Sequence, residues 1–252
     1  MRSVKLEELH WPEVKQALED GYDTVVFAVG ATEQHGPHMP LACDTLIGEA
    51  LALAVAERLG RTLVAPAVRV GCSEHHMAFP GTLSIDSQTL SAILISYTKT
   101  LVSHGFHRII LVPSHGGNFR TVAETVAKLR TQLPGNEIVT CADLQQILAL
   151  SNKVSTSYGI SPAASGMHAG EFETSLLLSL YPELIDMSLA EKGFTGDPVD
   201  VVPRILRDGV ISVSANGILG DASLADGSRG QAYLSAWVDV IVAEVTANKA
   251  MA

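Results

Sequence analysis

Two short runs constrain the fold more than anything else in the chain. Thr24–Val29 (TVVFAV) and 108–112 (RIILV) are apolar and rich in β-branched residues throughout, rather than alternating. A strand with one wet face alternates. An unbroken apolar run belongs to a strand covered on both faces, as in a parallel sheet sandwiched by helices. The first run stops at Gly30 and the second at Pro113.

The segments between fit that picture. Helical periodicity covers 46–59, with Asp44 and Thr45 placed to cap it and Gly60 to end it. Further helices are expected at 87–104 before Gly105, at 118–132 before Pro134-Gly135, at 169–180 before Pro182, and at 231–248. Short strands are expected at 61–65 and 137–141. The stretch 197–229, rich in Gly, Asp and Ser, reads as loops with one short strand at 210–213. Strand alternating with helix predicts an α/β layered fold with a mainly parallel sheet and helices on both faces. No linker or repeat interrupts it, so residues 1–252 read as a single domain.

Composition narrows the function classes. Of 252 residues, 47% are hydrophobic and 17% charged, enough for one large core and too apolar for a disordered chain. The formal charge of −10 argues against nucleic-acid binding, which needs clustered Lys and Arg, but suits cations. Three cysteines without a CxxC pair give no disulfide framework and point to a reducing cytoplasm. The N-terminal stretch lacks an apolar signal-peptide core, and no apolar run reaches the roughly 18–20 residues of a membrane span.

Ligands in open α/β sheets collect where strands end, and two such ends are dense in chemistry. The first strand runs into 30–40 (GATEQHGPHMP) and then Asp44; the strand at 108–112 runs into 114–118 (SHGGN). Two more clusters are 73–76 (SEHH) and 167–175 (MHAGEFETS). Six of the nine histidines fall in these four stretches. Glu33 and His35, two apart in extended chain, face the same side. With Asp44 they form half of a two-metal site, Asp44 being best placed to bridge, and His115 adds a nitrogen from the neighbouring strand end. Mixed N and O donors suit Zn²⁺, Mn²⁺ or Fe²⁺ better than Ca²⁺. Paired ions lower the pKa of a shared water. Gly116 and Gly117 match no phosphate-loop motif and instead clear space for a substrate. Ser114 lacks a nucleophile elbow. His10, His104 and His107 read as ordinary surface or structural residues, Cys43 and Cys72 as small apolar groups.

In these motifs, together with 74–82 (EHHMAFPGT) and the Glu173-Thr174-Ser175 element, the chain resembles the creatininase (creatinine amidohydrolase) family. The matches run from Gly30 to Ser175 in the family's order. The resemblance implies a three-layer α/β/α sandwich and a binuclear centre, zinc first with manganese or iron as alternatives. It implies hydrolysis of a non-peptide C–N bond in a small, often cyclic, amide, and a homo-oligomer, commonly a hexamer. By position, Glu33 and His115 bind one ion, His35 the other, and Asp44 bridges. His168 matches the histidine expected to move protons, while His76 and the 79–82 loop shape the substrate pocket.

One departure matters. In creatininase itself the fifth ligand is a glutamate two residues after the histidine matched by His115, and here that position is Gly117. The His-Gly-Gly-Asn form resembles other branches, including formamide deformylases of flavin-precursor pathways and a peptidase that processes a redox-cofactor precursor. The replacement carboxylate is Glu173 or, if the helix already starts at His168, Glu171, which then shares its face.

Overall fold

The computed structural model describes residues 2–249. Among these, four strands form one parallel sheet: β1 (Thr24–Val29), β2 (Thr62–Val64), β3 (Arg108–Pro113) and β4 (Glu137–Thr140), in the order β2-β1-β3-β4. β1 and β3 run in register from Thr24 opposite Arg108 to Val29 opposite Pro113. The helices are α1 (Trp11–Glu19), α2 (Cys43–Leu59), α3 (Ser87–Ser103), α4 (Phe119–Gln132), α5 (Leu144–Ser157), α6 (Pro162–Ser165), α7 (Glu171–Leu180), α8 (Pro198–Asp208) and α9 (Gly227–Lys249).

The unbroken apolar runs serve two cores at once. Val25, Phe27 and Val29 join Ile109 and Leu111 on the face covered by α1, α3 and α4, through Ala17, Leu90, Leu94, Val122 and Val126. Val26, Ile110 and Val112 face the other way, onto Ile47 and Leu51 of α2, Leu176 of α7, and Tyr233 and Trp237 of α9. Each fully buried side chain of this kind stabilises by about 1.5–3 kcal/mol relative to exposure, and both faces of β1 contribute. The result is the three-layer α/β/α sandwich with a parallel central sheet. From β1 the chain passes to β2 on one side and then returns to β3 on the other. The switch point therefore lies between the carboxyl ends of β1 and β3.

The differences from expectation have local causes. α2 begins at Cys43, so Asp44 lies inside its first turn and caps nothing; its carboxylate is drawn to histidines instead. Thr45 does not cap either, its hydroxyl donating to the Ala31 carbonyl at 2.8 Å. The strand expected at 210–213 is a 3-10 turn (Val210–Ser212) that follows Gly209 at a positive φ of 80° and pairs with no strand of the sheet. The 197–229 stretch contains α8, whose interior Pro203 disguised it. Helices α1 and α5 were also absent from the sequence reading. α7 starts at Glu171, leaving His168 in the loop before it. Among the described residues, no helix is long and apolar enough to cross a membrane.

Candidate metal centre

The switch point gathers the polar clusters into one buried floor. Glu33 and His35 follow β1 and are fully buried, Asp44 enters from the first turn of α2, and His115 follows β3. His115 Nδ1 lies 3.3 Å from Glu33 Oε1 and 3.3 Å from Asp44 Oδ2. His35 Nε2 lies 3.4 Å from Asp44 Oδ1 and 3.9 Å from Glu173 Oε2. Asp44 thus presents one oxygen to each imidazole. Charge-assisted hydrogen bonds normally close to about 2.7–2.9 Å, and these pairs stand further apart. Donors at about 2.0–2.1 Å from a tetrahedral ion are about 3.3–3.4 Å from one another, which is the spacing seen here.

The outer nitrogens support the same reading. His35 Nδ1 is 3.1 Å from the Glu33 carbonyl and His115 Nε2 is 3.0 Å from the Cys72 carbonyl. A carbonyl only accepts, so each of these nitrogens carries a hydrogen, and the inward nitrogen is the one that can give a lone pair to an ion on losing its proton. Inside the cluster, Glu33 Oε1 and Oε2, His35 Nε2 and Asp44 Oδ2 are buried without any hydrogen-bond partner. A buried charge left uncompensated costs several kcal/mol, and a domain's whole stability is about 5–15 kcal/mol. Orphans in this number and this close together fit cation ligands. Three triads have ligand atoms within 4.8 Å of one another: Glu33-His35-Asp44, Glu33-His76-His168 and His35-His168-Glu173.

Charge follows geometry. Burial raises the carboxyls of Glu33 and Asp44, but the imidazoles outweigh it and hold both low. Burial depresses His35 and His115, yet Cys43 and Asp44 beside the first, and Glu33 and Asp44 beside the second, lift both well above the ordinary value. Burial, aided by Asp44 and Glu33, pushes Glu173 up to about 7.

Two glutamates on α7 separate cleanly. Glu173 reaches back to accept the Ala169 N–H at 2.5 Å and stands at the His35 end of the floor. Ala169 holds a positive φ of 53° there, turning the chain between His168 and the helix. Glu171 faces away: it accepts from Ser175 Oγ at 2.8 Å, Arg229 Nε at 2.9 Å and the Tyr233 hydroxyl at 2.6 Å. At Gly117, a Cβ would collide with the Cys72 carbonyl and the His115 ring. The backbone that holds His115 in place therefore bars any side chain at that position.

Gln34 organises the remaining histidines, a role the sequence reading missed although Gln34 lies between two predicted ligands. Its Oε1 accepts the Gly36 N–H at 2.9 Å and its Nε2 donates to the Gly217 carbonyl at 3.1 Å, which fixes the amide's orientation. The second amide hydrogen goes to His76 Nδ1, 2.9 Å away. His76 Nε2 then carries a hydrogen toward Glu33 Oε1 at 3.3 Å. His168 Nε2 lies 2.8 Å from the Gln34 carbonyl and 2.9 Å from Gln34 Nε2; with both amide hydrogens of Gln34 assigned to Gly217 and His76, the hydrogen on His168 sits on Nε2 toward the carbonyl, and Nδ1 is bare, 3.6 Å from Glu33 Oε1. Burial, reinforced by neighbouring histidines, takes His76 down to about 2 and His168 well below its ordinary value. Two neutral imidazoles thus face the floor, one offering N–H and the other a lone pair.

Above this floor is a cavity of about 260 Å³. Gly116, Gly117, His75, His76 and His168 line it. The 79–82 loop does not line it; it supports the floor from behind, Thr82 Oγ1 accepting the Gln34 N–H at 3.1 Å. The walls are apolar: Leu144 and Leu148 from α5, Val202, Ile205 and Leu206 from α8, with Met167 and Leu219. The amphipathic spacing of 201, 202, 205 and 206 was the available signal for α8. His38 is structural, its Nε2 2.9 Å from Thr174 Oγ1. Ser114 donates to the Asp44 carbonyl at 2.7 Å, which occupies its hydroxyl.

A parallel sheet with buried carboxylates and imidazoles at its switch point defines the class as an α/β protein with a candidate metal centre. Comparison with known proteins makes it specific. Residues 7–245 match the family model described as creatininase, creatinine amidohydrolase. A mycofactocin precursor peptide peptidase from Mycolicibacterium smegmatis is 35% identical over 220 residues, 85% of this chain and 81% of that protein. A creatinine amidohydrolase from Pseudomonas putida is 30% identical over 258 residues, 95% of each. The crystal structure of a creatinine amidohydrolase superposes with a TM-score of 0.79 at 30% identity, covering 96% of both chains. The chain belongs to the creatininase family, whose members are metal-dependent amidohydrolases.

Proposed function

We propose that the chain, acting as one catalytic unit, hydrolyses an amide C–N bond at a site holding two divalent ions. The observation that carries this is the Asp44 carboxylate, whose two oxygens face His35 and His115 at 3.4 and 3.3 Å. One ion is assigned to Glu33, His115 and Asp44, the other to His35, Glu173 and Asp44. Nitrogen and oxygen donors suit Zn²⁺ first, with Mn²⁺ or Fe²⁺ as alternatives.

Divalent ions held there supply Lewis-acid polarisation of the amide carbonyl and activation of a water. The protein's part is proton handling and positioning. His168 Nδ1 takes the proton as water adds to the carbonyl and returns it to the departing nitrogen. His76 Nε2–H is aimed to hold a substrate oxygen. Gly116 and Gly117 keep the space over the floor clear.

The small-amide reading rests on the family and on the modest cavity. A second reading, hydrolysis of a peptide amide, is favoured by walls that carry no charge and by similarity to the precursor peptide peptidases. Elemental analysis is expected to find close to two divalent ions per chain, and a panel of lactams, formamides and short peptides to yield one turned-over class. A metal-replete preparation binding no ion would overturn the assignment. We further propose a homo-oligomer, up to a hexamer on the family resemblance and tested by sedimentation. A cytoplasmic setting is proposed too, in keeping with three cysteines that are all free.

A further inference from the structure

The cavity above the floor has a neighbour. A second cavity of about 440 Å³ lies beside it, and Leu148, Met167 and Leu219 line both. The two spaces therefore meet across these three side chains. Leu148 and Met167 are only half-buried, and Met is the unbranched side chain most able to yield to what lies against it. Leu219 is tied down by its backbone pairing with His168, which also ties the partition to the floor.

Phe194 and Ala163 extend the apolar lining. Besides Asp197, the polar lining includes Asn152 of α5 and Thr195. Among the described residues, neither of these two side chains makes a hydrogen bond, so an amide and a hydroxyl are free to meet a ligand. Such a space, apolar with a few convergent polar groups, has the character of a ligand site. A small cyclic amide seated on the floor would leave it unused.

We propose that the second cavity is a substrate subsite, taking the distal part of a linear amide whose scissile group lies at the metal floor. The chain passes Leu148, Met167 and Leu219 with an apolar segment and ends in a hydrogen-bonding group at Asn152 and Thr195. A short peptide or an N-acyl chain has that form. This inference rests on the amidohydrolase reading above and makes Ala163, Asn152 and Met167 specificity-determining residues.

The test compares two chelating probes on the manganese-loaded protein by calorimetry: acetohydroxamate, which covers only the floor, and octanohydroxamate, whose tail reaches past Met167. Each newly buried methylene is worth about fourfold in affinity. The longer probe is therefore expected to bind at least about 30-fold more tightly. Ala163→Phe, which fills the second cavity from α6, is expected to abolish most of that gain and leave acetohydroxamate affinity unchanged. Asn152→Trp fills the same space from α5 and serves if the first variant does not fold. Equal affinity for the two probes, or a gain that survives both variants, overturns the subsite while leaving the metal centre standing. Failure of acetohydroxamate itself to bind the loaded protein overturns both readings.

Discussion

The floor of the cavity and its walls differ in composition, in origin and in what they decide. Glu33, His35, Asp44, His115 and Glu173 are packed together on the floor, and among the described residues four of their atoms have no hydrogen-bond partner. The walls are Leu, Ile, Val and Met from α5, α8 and the strand-like segment at Leu219. The floor grows from the carboxyl ends of β1 and β3, the most rigidly buried part of the chain. The walls come from peripheral helices, with Leu206 at the rim 71% exposed. Chemistry is thus placed at the buried strand ends, and substrate shape on segments that reach from the core to the surface.

The sharpest way to break this contrast is Asp44→Ala. It removes the group proposed to be shared by two ions, so metal content should fall to near zero. Turnover should fall by about 10³-fold or more, since Lewis-acid stabilisation is worth several kcal/mol. Next is His168→Gln, expected to lower kcat by about 10²–10⁴-fold while elemental analysis still finds both ions. The α7 glutamates divide the two functions of a buried carboxylate. Glu173→Gln should lose one ion and leave the melting temperature of the metal-free protein little changed. Glu171→Ala should keep both ions but lose about 3 kcal/mol of stability, because it leaves Arg229 without its buried partner.

A pH dependence follows from the floor alone. In the metal-free protein His35 and His115 sit above 6.5 and Glu173 at about 7, above its ordinary 4.5. A group raised on folding stabilises fully below its unfolded pKa and loses that contribution as pH rises through the folded value. Below about 6.5 the depressed His76 and His168 oppose Glu173, because there the unfolded chain binds more protons, so chelator-treated protein should melt at progressively lower temperature as pH climbs from about 6.5 past 7. Glu33 and Asp44, held low, act oppositely and lose their contribution only toward acid. Metal affinity should rise over the same upper window, with proton release visible as buffer-dependent binding heats. The smallest effect belongs to the rim: Leu206→Ala should raise KM only a few-fold, with kcat, metal content and melting temperature unchanged.

Legibility in the sequence divided along the same line. The β1 and β3 runs announced a doubly covered parallel sheet, and the polar clusters after them lay at the predicted strand ends. Glu171 and Glu173 could not be separated from sequence, because the answer turned on where α7 begins. The positive φ at Ala169 puts that start after His168. Asp44 looked like a helix cap because an acidic residue before an apolar run usually is one; two histidines distant in sequence redirected it. Helix α8 was hidden by Pro203 and by flanking Gly and Asp.

By itself, then, the sequence determined the sheet, the layers and the donor types, since these depend on local patterns of apolar and polar residues. Only the tertiary structure decided which donors converge, why Gly117 must lack a side chain, how Gln34 sets two imidazoles to opposite roles, and what walls the cavity. Those outcomes depend on distances between segments far apart in the chain, which packing fixes and local pattern does not.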